Sequence, residues 1–305
     1  MLVSSPLAAE RLHLVIPAGP GGGLDATARA LGNALTESQL TPSVSFENRS
    51  GGGGGKAMAY FVNSGQTLDN TLLVNSAPLI VRSLQGLFPH SYRDLTPIGG
   101  LIADPGVIAV RANSTMSSWG DVVAALQDSE KRLFVGGGSV KGSLDHITLS
   151  LLAQAEGIDP RRIRYLAYDG GAKALLALMS GEVDVLVSGL GETLAAHQAG
   201  TIEILGITGD SGHPEAGIAS FIEQDVDVVF YNWRGMFAPK NIDPAEKKRL
   251  VELITNAVAT PTWQQQLVRY GWQPKFLPDQ VFVEYLQEQE RQLRTIMTDL
   301  GLMAR

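Results

Sequence analysis

The sequence predicts an α/β fold in two lobes, each a doubly wound sheet flanked by helices and the two joined by a two-segment hinge. Three observations carry this. Short apolar runs alternate with longer amphipathic stretches, the signature of strands and helices in largely parallel sheets. One pattern, strand then glycine turn then helix, occurs at 12–29 (LHLVIPAGPGGGLDATAR) and again at 133–152 (LFVGGGSVKGSLDHITLSLL). At 305 residues with 44% hydrophobic side chains, the chain can fill two cores of ordinary size, about 100 to 200 residues each.

In order along the chain, 11–17 is a strand and 24–37 a helix, then 43–47 a second strand, a glycine run at 51–55, a helix at 56–63 and a strand at 71–75 that ends in Asn75-Ser76-Ala77-Pro78. Two apolar runs within 98–110, around Asp104-Pro105-Gly106, mark the crossing into the second lobe. That lobe reads as helix 117–128, strand 133–136, helix 143–156, strand 163–167, helix 171–179, strand 183–187, helix 190–198 and strand 202–207. The runs at 226–238 mark the return crossing. Three helices finish the chain, near 244–258, 262–269 and 279–300, the last with Val283, Leu286, Leu293 and Ile296 on one face to pack across the first lobe.

Charge and composition remove several function classes. A net charge of −7 disfavours nucleic acid, whose phosphates need a basic face. It also denies an anionic ligand any long-range steering, so an anion must be held by local dipoles. The chain has no cysteine, hence no disulfide, thiolate metal site or cysteine nucleophile. No apolar run approaches the ~20 residues of a membrane span. Residues 2–9 (LVSSPLAA) read either as the tail of a secretory signal cut near Ala9, with its charged and hydrophobic parts missing, or as an ordinary flexible terminus.

A helix that begins in glycines leaves its first backbone N–H groups open to a ligand. The first such turn runs through Gly19, Gly21, Gly22 and Gly23. It is not a nucleotide loop: Leu24-Asp25-Ala26 follows Gly23 where a phosphate loop needs Gly-Lys-Ser/Thr, and Leu24 breaks the G-x-G-x-x-G spacing, although Glu47 stands where a ribose-binding acid would. Asp25, in the first helical turn, reads as a cap. In the second turn, Gly136 to Ser139 and Gly142-Ser143 supply amide and hydroxyl donors. Lys141 either contacts the ligand or is solvated, and His146, one turn on, either meets the ligand or is satisfied by backbone.

Catalytic constellations are not found. The histidines (His13, His90, His146, His197, His213) show no metal spacing, there is no G-x-S-x-G elbow, and Gly209-Asp210-Ser211-Gly212 reads as a surface turn. The sequence therefore predicts a binding protein, not an enzyme, with neither cofactor nor metal.

Taken together, Pro17-Ala18-Gly19-Pro20-Gly21-Gly22-Gly23 with Asp25, Glu47-Asn48-Arg49 and the glycine run, Gly142-Ser143 with His146, Tyr168-Asp169-Gly170-Gly171 and Gly181-Glu182-Val183-Asp184 resemble the Bug or TctC family, extracytoplasmic solute receptors of tripartite tricarboxylate transporters. The resemblance covers nearly the whole chain. It implies a type II periplasmic-binding-protein fold that closes on a small carboxylate held by two glycine-rich turns, here Ala18, Gly19, Pro20, Gly21 and Gly22 opposite Gly138, Ser139, Lys141, Gly142 and Ser143, with His146 and Asp169 beside them. More variable positions would read the far end of the ligand, here Asn75, Ser76 and Ala77 together with Ser188, Gly189 and the stretch to Glu192. Many relatives carry aromatic-Asp-Asn where this chain has Val187-Ser188-Gly189, and the Ser-Gly form is similar to the branch that takes citrate-like acids. Glu192 would repel such an acid unless turned outward.

The expectation is a monomeric periplasmic receptor that traps a di- or tricarboxylate between lobe one (1–106 and 230–305) and lobe two (107–229) and delivers it to membrane permease subunits, with hinge strands near 104–110 and 228–236. Two rivals are a sensor that presents the bound acid to a receptor kinase and a nucleotide-dependent enzyme that uses the first glycine turn.

Overall fold

The computed structural model describes residues 11–65, 68–128 and 130–303; the signal-like stretch 2–9 lies outside them. Among these described residues, ten strands and ten α-helices follow one another in the order β1 (Leu12–Ile16), α1 (Gly23–Glu37), β2 (Val44–Asn48), α2 (Gly55–Ser64), β3 (Thr71–Ser76), α3 (Pro78–Leu84), β4 (Leu95–Arg111), α4 (Trp119–Gln127), β5 (Phe134–Gly137), α5 (Leu144–Ala155), β6 (Arg164–Ala167), α6 (Gly171–Ser180), β7 (Val185–Gly189), α7 (Leu190–Gln198), β8 (Ile202–Ile207), β9 (Tyr231–Pro239), α8 (Pro244–Val258), α9 (Pro261–Tyr270), β10 (Gln273–Pro278) and α10 (Asp279–Asp299).

Two sheets share one strand. In the first, β2, β1 and β3 are parallel, β9 joins β3 antiparallel, and β4 lies between β9 and β10 through residues 95–105. In the second, the other half of β4, from Gly106 to Arg111, lies antiparallel between β7 and β8, and β5 and β6 extend the sheet in parallel from β7. The two apolar runs of 98–110 are thus one continuous strand, and of the return stretch only Tyr231–Pro239 is strand. Both crossings add antiparallel pairs that strand–helix alternation does not reveal.

Side-chain alternation explains why both faces of each sheet are covered. Leu12, Leu14 and Ile16 of β1 with Leu72 and Val74 of β3 enter a core under α1, α8 and α9, whereas Val15 and Leu73 enter the opposite core with Phe61, Phe237, Phe282 and Leu286. In the second sheet Ile108 and Val110 of β4 face one core and Val107 and Ala109 the other. The last helix crosses the first lobe as expected, with its stripe turned slightly: Phe282, Leu286, Leu293 and Met297 are buried, and Val283 and Ile296 flank them half-buried.

At the crossings, Thr208 ties the two interlobe segments together. Its amide donates to the Gly106 carbonyl (2.8 Å), its hydroxyl accepts from the Gly106 amide (2.8 Å) and donates to the Phe230 carbonyl, and its own carbonyl accepts from the Phe230 amide (2.9 Å). Thr208 is fully buried.

Candidate functional site

Both glycine turns sit where the sequence places them, between β1 and α1 and between β5 and α5. Their backbones match: Gly21 has φ +82° and Gly142 +80°, a region open to glycine and costly for a side chain with Cβ. Each turn therefore brings its chain into the following helix with the first N–H groups leading.

Those groups meet carboxylates of the chain itself. The Gly21 amide donates to Asp25 Oδ2 (2.9 Å), and Asp25 also accepts from Arg29 Nε (2.9 Å) and Asn48 Nδ2 (3.0 Å). Burial alone would raise the Asp25 pKa, but Arg29, the Gly21 amide and Asn48 outweigh it and hold the carboxyl below the usual range. Asp25 thus braces the turn, as a cap would, and the side chain of Asn48 bonds the Ala18 carbonyl (3.0 Å) beside it. The Gly23 amide donates to Glu192 Oε1 (2.7 Å). Glu192 belongs to α7 of the other lobe, so this bond joins the two.

A second cross-lobe bond runs from Gln85 Nε2 to the Gly142 carbonyl (2.8 Å). Near it, Asp145 at the start of α5 is pushed up to about 7, first by desolvation and then by the charge of Glu192, with the Ser139 hydroxyl and then the Ser139 and Gly138 amides pulling the other way. Ser139 is held in turn by the Asp145 amide on its hydroxyl (3.0 Å) and the Tyr165 hydroxyl on its carbonyl (2.6 Å).

Beneath the first turn lies a buried ion pair. Arg234 Nη2 meets Asp104 Oδ2 at 2.5 Å, Arg234 Nη1 donates to Thr27 Oγ1 (3.1 Å), and Thr27 donates to the Gly23 carbonyl (2.9 Å). Asp104 Oδ1 accepts from the Gly191 amide (3.1 Å). Desolvation lifts the Asp104 pKa to about 6 even against Arg234. A continuous chain of polar contacts therefore links the start of α1 to the start of α7 through both crossing strands.

Of the residues expected at the far end, Ser76 stands opposite Arg234 in the β3–β9 register and Asn75 opposite Gly235. Both are buried, and Ala77 caps α3 rather than lying in an open loop. Ser188 is buried and bonds Glu192 Oε2 (3.2 Å), and Gly189 caps α7. Ser143 caps α5, and His146 is buried with its ring edge on Tyr165 (5.1 Å) and Nδ1 without a partner. Desolvation, then Lys141, lowers the His146 pKa to about 4, so the ring is neutral at pH 7. Of the remaining candidates, Lys141 and Pro20 are exposed, and Asp169 is an exposed partner of Lys173 (3.4 Å). Sequence reasoning missed Asp145, Arg234 and the role of Asp104; the last two are 130 positions apart, and only the strand register joins them. Among the described residues no group of histidines and acids could hold a metal ion.

A family profile described as "Tripartite tricarboxylate transporter family receptor" matches residues 27–302. A Pseudomonas sp. (strain P51) protein named for the tcbD-tcbE intergenic region is 27% identical over 262 residues, covering 84% of this chain and 76% of the relative. Two solved structures share the fold: the periplasmic binding protein BugD (TM-score 0.86, 19% identity, 97% of this chain and 99% of the other) and R. palustris Rpa4515 with adipate (TM-score 0.87, 20% identity, 97% and 99%). With the profile matching most of its length, this chain belongs to the tripartite tricarboxylate transporter receptor family, a family of solute-binding receptors rather than enzymes.

Proposed function

We propose that this protein is a periplasmic receptor that traps a small organic carboxylate between its lobes and delivers it to the permease subunits of a tripartite tricarboxylate transporter, acting as a monomer. The lobes are 1–106 with 230–305, and 107–229. The observation that carries the reading is the seat of Glu192: a carboxylate from one lobe rests at 2.7 Å on the first open amide of α1 in the other. A ligand carboxylate needs the same geometry. The adipate in the structure of Rpa4515 is an acid of this class.

The Ala18 to Gly22 and Gly138 to Ser143 turns are the two grips, and the ligand adds to the stability of the closed form through contacts it makes only when both reach it. The finer preference for citrate-like acids rests on Ser188-Gly189. The inward Glu192 weighs against a trianion, because each added like charge near it raises the electrostatic cost, so the reading favours an acid of lower charge.

Native mass spectrometry of the purified protein tests this by the mass of any co-purifying acid. In a thermal-shift panel, malate, adipate and citrate are set against NAD and ATP; a saturating acid should raise the Tm by about 2 °C or more. Stabilisation by the nucleotides alone would overturn the proposal.

A further inference from the structure

Glu192 stands in the first turn of α7, where a glutamate ordinarily serves the amides of its own helix. Here Asp104 serves α7 instead, through the Gly191 amide, and the Glu192 carboxylate is free to reach across. Its Oε1 accepts from the Gly23 amide at the start of α1, and its Oε2 from the Ser188 hydroxyl. It also lies against the start of α6, where a Cβ on Gly171 would come within 2.4 Å of Oε1. The carboxylate thus sits where three helices with glycine N-caps converge, one of them from the opposite lobe.

We propose that Glu192 is a tethered surrogate for the ligand's carboxylate: it occupies the α1 amide from across the cleft, holds the lobes together without ligand, and admits only acids able to displace it. The inference rests on the receptor reading above and adds to it a residue that sets specificity. A charge-assisted bond to a helix N-terminus is strong for its size. A group held by its own backbone competes at an effective concentration in the millimolar range. Weakly bound anions are therefore excluded, and the apparent affinity of every acid is lowered by the fraction of molecules whose Glu192 is seated. The buried Asp104–Arg234 pair keeps α7 in register with α1, so that the reach of Glu192 is preset.

The test uses the full chain and its variants Glu192→Gln and Glu192→Ala. Small-angle scattering of ligand-free protein should show a larger radius of gyration for Glu192→Ala than for wild type, with Glu192→Gln, which retains an accepting carbonyl, between them. Titration calorimetry with malate, adipate and citrate should show the best-binding acid bound at least about tenfold tighter by Glu192→Ala. Scattering from Glu192→Ala that superimposes on wild type would overturn the proposal. If Glu192→Ala does not fold, as judged by its circular-dichroism melt, the near-isosteric Glu192→Gln carries the same measurement. An absence of heat from all three acids with all three proteins would instead count against the receptor reading, and scattering would still decide the surrogate.

Discussion

Asp104 and Arg234 meet in the buried centre of the molecule with their charged atoms 2.5 Å apart, one on β4, the strand both sheets share, and one on its neighbour β9. Arg234 is 2% exposed and Asp104 fully buried. Removing one partner strands the other charge away from water, at a cost of about 3 to 5 kcal/mol. Arg234→Met should lose that much in urea unfolding. Adding Asp104→Asn should cost clearly less than the sum of the two single changes, as a double-mutant cycle would show. Additive losses would mean that the pair does not act as a unit.

Thr208→Val keeps the shape of the side chain and deletes its hydroxyl. The Gly106 amide and the Phe230 carbonyl then lose a buried partner, so unfolding should become easier by about 1 to 3 kcal/mol. Thr201→Val, at an exposed position, is the control and should change stability by less than about 0.5 kcal/mol.

The second glycine turn tolerates no side chain at Gly138, where a Cβ would lie 2.3 Å from the backbone nitrogen of Gly171. Gly138→Ala should cost about 1 to 3 kcal/mol or more, since backbone must move to admit it. Nothing lies within 4 Å of a Cβ at Gly19, and Gly19→Ala should be close to neutral. Equal melting temperatures for the two variants would contradict the close approach of the second turn to the start of α6.

Asp145 makes stability depend on pH in an unusual direction. Its folded pKa is pushed up to about 7, above the ~3.9 of an unfolded aspartate, so between those values the folded chain binds the extra proton. Its contribution to stability is gained as pH falls through 7 and lost as pH rises. Asp145→Asn should therefore melt higher than wild type at pH 8 and lose that advantage by pH 4. His146, lowered to about 4, works in the opposite sense, its contribution being lost as pH falls below about 6.5. The difference between variant and wild type is thus the quantity to follow, and parallel melting curves across this range would refute the assignment.

Much of this architecture is legible in the residues because periodicity and glycine turns are local signals. The strand–turn–helix units at 12–37 and 134–155 stand within a residue or two of expectation, and α8 spans 244–258 as read. What escaped is what local pattern does not encode. β10, Gln273–Pro278, carries two prolines and no alternation, and is a strand only because β4 offers it an edge. α3 is seven residues long, too short for a helical stripe to show. At the site, the glycine turns were readable as donors, but the direction of Glu192 was not, since a side chain in a first helical turn can face its own helix or a neighbour. Asp25 was recognised as a cap; that it also accepts from Asn48 depends on how β2 lies beside β1.

The sharing of β4 orders the folding of the chain. Every strand of the second sheet lies between Gly106 and Ile207, whereas the first sheet waits for β9, the strand that fills the gap between β3 and β4. A ribosome therefore delivers the whole inserted lobe before the outer one can close, and until residue 239 emerges β3 carries an unsatisfied edge of the kind that invites pairing with another chain. Late-made sequence completes early-made structure, so a chain truncated before Tyr231 should leave the outer lobe exposed to aggregation while the inserted one can still form.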